Sequence, residues 1–161
     1  MPGNPTSKEV ILRTVNLGLR FYLGGVFLYA CFHKIMDPAE FALSIASYQI
    51  LPLSLVNIFA VTLPWIELFA GLGIILGFRT RENSLLITGM MVMFISVIAY
   101  ALSQELAVDC GCFASQEAGE EMTAGTLARD AVWLAIAAHL FFFEDGKWGI
   151  DGLVRRVKNA A

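Results

Sequence analysis

Charged side chains are scarce in this chain of 161 residues: they make up 16% of it, against 57% hydrophobic residues. A soluble domain carries about a quarter charged residues, so the composition excludes an ordinary water-surrounded globular protein. Basic runs interleaved with aromatics are also lacking and the formal net charge is -3, which excludes nucleic acid as the expected partner. No long repeat or low-complexity tract divides the chain. The first apolar run is longer than the ~7–15 residues of a signal-peptide core and no small-residue cleavage site follows it, so it reads as a retained span.

Present in place of charge are four apolar stretches, about Val15 to Ile35, Leu53 to Gly77, Ser84 to Leu102 and Leu127 to Phe143. Each is close to the ~20 residues that cross a ~30 Å hydrocarbon core. Between the first two, Asp37, Pro38 and Glu40 form an N-cap, N1 and N3 set that starts a helix over about 38–49. Phe41, Ile45 and Tyr48 recur along it at helical spacing, which places them in the membrane interface. The tight connection from Phe78 to Asn83 makes spans two and three antiparallel neighbours. The expected fold is therefore all-α, an integral membrane four-helix bundle with a short outer interfacial helix, in a single transmembrane domain.

Cations are distributed unequally between the two ends of such a bundle. Lys8, Arg13, Arg79, Arg81, Lys147, Arg155, Arg156 and Lys158 fall on one side, and Lys34 and Arg129 on the other. Short loops rich in Lys and Arg stay in the cytoplasm, so both termini are expected there. In a bacterium the chain then belongs to the plasma (inner) membrane, and the long acidic connection from Ser103 to Thr126 faces the periplasm, a compartment that permits disulfides.

That connection carries Cys110-Gly111-Cys112. Two thiols one residue apart can be bridged where the backbone bends, and Gly111 makes the bend accessible. A strained small ring favours exchange over stapling; metal binding and a passive bridge are the competing readings. Cys31, near the outer end of span one, is the odd thiol: either a candidate resolving thiol or a small apolar core residue. Arg20, Gly24, Phe27 and Cys31 share one helix face, and a guanidinium in the membrane must point into the bundle, so Cys31 points inward as well.

Glu67 is the one acid well inside a span and is expected to pair with Arg20. The two would form either a polar site for a quinone head group or proton path, or an ion pair that fixes helix packing. Thr126 is a candidate cap for span four, which puts Asp130 near its positive end. Arg129 is a candidate thiolate stabiliser for the loop cysteines, or else an interfacial anchor. His33 and His139 fall on opposite sides of the membrane and cannot share a metal, although His33 near Cys31 keeps a Cu(I) site open. The methionines Met90, Met91 and Met93 read as core filler.

Several of these residues resemble a known group, the MauE/DoxX-like family of four-span membrane proteins, over roughly residues 15 to 143. Arg20, Gly24 and Phe27, then His33-Lys34-Ile35-Met36-Asp37-Pro38 and Tyr48-Gln49-Ile50-Leu51-Pro52, are similar to the opening of DoxX-like sequences, and Pro64, Glu67, Gly71 and Gly77 to their second span. Cys110-Gly111-Cys112-Phe113 followed by Leu127, Arg129 and Asp130 resembles the MauE branch, with Ala114 where a Gly is usual. The resemblance implies a membrane component of a thiol–disulfide system that acts with a periplasmic thioredoxin-like protein in maturing exported disulfide-containing proteins, such as methylamine dehydrogenase. A Cu(I)- or Zn-handling protein that uses the same cysteines, and a non-catalytic membrane scaffold, are the alternatives.

Overall fold

The computed structural model describes residues 7–104, 124–144 and 149–160. Within them the chain forms six helices: α1 (Ser7–Met36), α2 (Pro38–Ser47), α3 (Leu53–Leu76), α4 (Thr80–Ser103), α5 (Ala124–Phe143) and α6 (Ile150–Ala160). Four contain stretches long and apolar enough to cross a membrane: Val10–Met36, Leu53–Leu76, Thr80–Ser103 and Gly125–Phe143. The protein is thus an all-helical multi-pass membrane bundle.

Local chemistry sets the helix ends. The Asp37 carboxylate accepts from the Glu40 N–H at 3.1 Å, and Pro38 occupies the first turn, so α2 begins where the sequence predicts. α3 stops at Gly77, whose φ of 66° is the left-handed conformation that glycine adopts without steric cost. The Phe78 N–H returns to the Gly73 carbonyl at 2.9 Å, closing the turn into α4.

Packing follows two close helix pairs, α1 with α3 and α4 with α5. The first pair meets through small residues: a Cβ on Gly71 would lie 3.2 Å from the Gly24 carbonyl oxygen and 3.3 Å from the Phe27 Cβ. Such contacts let helix backbones approach closely in lipid, where burial against water supplies no driving force. Leu23, Phe27, Ile74, Ile87, Met90 and Leu140 form the centre of the core between the four spans.

The side chains of α2 expected in the membrane interface are turned onto the bundle. Phe41 and Tyr48 are buried against α3 and α4, Phe41 with Ala60 and Leu63, and Tyr48 with Ile98 and Ala101. Helical spacing identified the apolar face correctly, but that face packs on protein, and Leu43 is the side chain turned outward. A cavity of about 240 Å³ under α2 is lined by Phe41, Ile45, Tyr48, Leu63, Met93 and Phe94, among others. Thr126 lies inside α5, which starts at Ala124, and so does not cap it.

Candidate functional site

At the end of the bundle covered by α2, two charges from different helices meet out of contact with solvent. Lys34 stands in the last turn of α1 and Glu67 in the middle of α3. Lys34 Nζ donates to Glu67 Oε1 at 2.7 Å and Oε2 at 2.9 Å, and both side chains are buried. The same ammonium lies 5.0 Å from the ring centre of Phe41 and 5.1 Å from that of Phe94. Aromatic faces attract a cation, so the four side chains together hold a charge that apolar surroundings alone would expel. A void of about 20 Å³ borders Lys34 and Glu67, with Phe27, Ala30 and Phe94 in its wall; that is about the room one water occupies.

Cys31 lies one turn deeper on α1. It is 1% exposed, as its shared face with Arg20 and Phe27 predicts, and its S–H donates to the Leu28 carbonyl at 3.2 Å. Lys34 and Glu67 both lie within electrostatic reach of it. The charge of Lys34 also acts, more weakly than that of Arg129, on the buried Asp130 of α5. One Asp130 oxygen accepts from Arg129 Nε at 3.2 Å, and the other has no hydrogen-bond partner among the described residues. The Arg129 guanidinium also stacks 4.8 Å from the Trp133 ring, whose Nε1 donates to the Tyr22 hydroxyl at 3.2 Å. Cys31, Lys34, Glu67 and Asp130 thus gather on three helices at one end of the bundle.

Arg20 belongs to the other end, and the expected Arg20–Glu67 pair does not form. Arg20 Nε donates to the Ile74 carbonyl at 2.9 Å and Nη2 to the Ile75 carbonyl at 3.3 Å, while Nη1 lies 3.7 Å from Glu144. The physical reason is the helix terminus: the last carbonyls of α3 have no intrahelical donor, and Arg20 reaches them. Glu67 is left to Lys34, which sits about 21 Å further along α1 at 1.5 Å per residue. Arg20 and Glu67 therefore do not form the paired polar site that the sequence suggested. Sequence reasoning missed Lys34 because it counted that residue among the loop cations; the signal available was its i, i+3 spacing from the inward-facing Cys31.

The histidines are separated as expected. His33 packs edge-on against Tyr29 and Phe32 near the α2 end, and His139 is hydrogen-bonded to Asn16 at 3.0 Å near the α6 end. Cys110 and Cys112 lie outside the described residues, as do the acidic residues of their connection. That connection joins the end of α4 to the start of α5, at the same end of the bundle as Cys31.

Comparison with known proteins supplies the family. The family model described as methylamine utilisation protein MauE matches residues 11–143. The methylamine utilization protein MauE of Methylorubrum extorquens is 31% identical over 85 residues, which are 52% of this chain. The match spans 46% of that relative, about half its length. No solved structure matches the chain. The family match runs from the first turns of α1 to the last residue of α5 and takes in nearly all of the four-span bundle with its buried Cys31–Lys34–Glu67 cluster: the chain belongs to the MauE family of membrane proteins.

Proposed function

We propose that this protein is a membrane thiol–disulfide exchange protein that acts on an extracytoplasmic thioredoxin-like partner and so supports the maturation of exported proteins. What supports the reading is chain order: Cys110 and Cys112 fall in the sequence that joins α4 to α5, and α1, with its buried Cys31, ends on the side of the bundle where α4 ends. Clustered cations at the α6 end, Arg79, Arg81 and Lys158 among them, support a cytoplasmic placement of both termini and an outward-facing Cys110-Gly111-Cys112.

In the exchange, the thiolate of Cys110 or Cys112 attacks one sulfur of the partner's disulfide and the other partner sulfur leaves as thiolate. The mixed disulfide is then resolved by the second loop thiol or by Cys31, so the chain's pair ends oxidised and the partner reduced; the reverse sequence oxidises the partner. Arg129, near the start of α5, is the candidate cation for the loop thiolates.

Trapping tests this directly. Cys110→Ser and Cys112→Ser variants should each accumulate an adduct with a thioredoxin-like protein that dithiothreitol releases. Absence of any adduct, with the redox state of the partner unchanged, refutes the proposal.

A further inference from the structure

α6 is a helix that the four-span core does not require. It is held by its first turn: the Asp151 N–H donates to the Gly77 carbonyl at 3.0 Å, and the Asp151 carboxylate accepts from the Arg79 and Thr80 N–H groups at 3.0 and 3.2 Å. Beyond that turn the helix presents Leu153, Val154 and Val157 at 61%, 58% and 70% exposure. With Ile150 they follow i, i+3, i+4 and i+7, one continuous apolar stripe. Arg155, Arg156 and Lys158 occupy register positions off that stripe, and Asp151, the one acid of α6, is engaged in the docking turn.

Two features indicate what covers the stripe. Apolar side chains are also exposed at the same end of the spans, at Phe78 in the α3–α4 turn and at Phe142 and Phe143 of α5. The sequence of α6 also carries three cations with no free acid between them, which complements a negative surface. A helix with an aliphatic stripe and a basic remainder at the end of membrane spans fits the boundary between headgroups and acyl chains.

We propose that α6 is an anionic-phospholipid-binding element: its stripe enters the acyl region of the leaflet at the α6 end, and the positive charge of its basic second half, a sequence with Arg155, Arg156 and Lys158, draws anionic headgroups to it. The docked Asp151 fixes the helix at the depth where both contacts are made. This site is independent of the thiol-exchange reading.

Amide hydrogen exchange of the full-length protein tests it, with the chain in nanodiscs of phosphatidylcholine or of phosphatidylglycerol. Exchange over residues 153–160 should be at least about tenfold slower in phosphatidylglycerol. An Arg155→Gln, Arg156→Gln, Lys158→Gln variant should lose that difference while exchange in the spans stays unchanged, and Val157→Asp should speed exchange in both lipids. Equal exchange in the two lipids overturns the proposal. So does a difference between the lipids that persists in the triple variant, or unchanged exchange in Val157→Asp, because the cations or the stripe would then not make the lipid contact.

Discussion

Lys34 and Glu67 close a doubly bonded ion pair inside the bundle, with both carboxylate oxygens within 2.9 Å of one ammonium. Removing one member of such a pair strands the other charge, at a cost of about 3–5 kcal/mol, whereas replacing both by apolar groups is often nearly neutral. Lys34→Met and Glu67→Leu should therefore each lower thermal stability in detergent strongly, and the double variant should recover most of the loss. Additive losses in that double-mutant cycle would show that the two charges are not coupled.

Cys31 sits one helical turn before Lys34 on α1, so a reagent arriving from the α2 end passes Lys34, which Glu67 holds in place. In a Cys110→Ser, Cys112→Ser background, maleimide should label Cys31 slowly in native membranes. Glu67→Gln should raise the rate at least about tenfold, which a loss of about 1.4 kcal/mol in local closure would produce. Equal rates would mean that the pair does not control access, and would remove it from any resolving role of Cys31.

The crossing of α1 and α3 gives a prediction of different character. Gly71→Leu would press a branched side chain against the Gly24 carbonyl and the Phe27 Cβ, both within 3.3 Å of the point where its Cβ would lie. Overpacking of this kind costs about 1–3 kcal/mol. The expected result is a lower unfolding temperature with the helix content of the folded state retained; Gly89→Leu, where a Cβ meets nothing within 4 Å, serves as the control.

The spans could be read from the sequence because a membrane helix must satisfy its own backbone and present apolar side chains to lipid. The start of α2 was readable because Asp37, Pro38 and Glu40 act within a single turn. The inward face carrying Arg20 and Cys31 followed from helical periodicity and the cost of a charge in lipid. Partner choice did not follow. Arg20 selects carbonyls freed by the end of α3, a feature of three-dimensional placement, and Lys34 turns inward although lysines near helix ends commonly snorkel toward water. α6 is not among the expected elements although the spacing of Ile150, Leu153, Val154 and Val157 is present in the sequence, because eleven residues with three cations are too short and too polar to read as a span.

Asp151 ties this last helix to the bundle by acting as an N-terminal cap supplied from elsewhere in the chain. Arg79 at the start of α4 has no side-chain cap of its own and adopts a left-handed φ of 45°, so the N–H groups of Arg79 and Thr80 depend on Asp151. A carboxylate at a helix N-terminus also interacts favourably with the helix dipole. Asp151→Ala should lower stability by about 1 kcal/mol, the usual loss for a cap, and should speed hydrogen exchange both in the first turn of α4 and throughout α6. Asp151→Asn keeps one acceptor oxygen and should fall between the two. Faster exchange in α6 with an unchanged first turn of α4 would show that Asp151 anchors the helix without capping its neighbour.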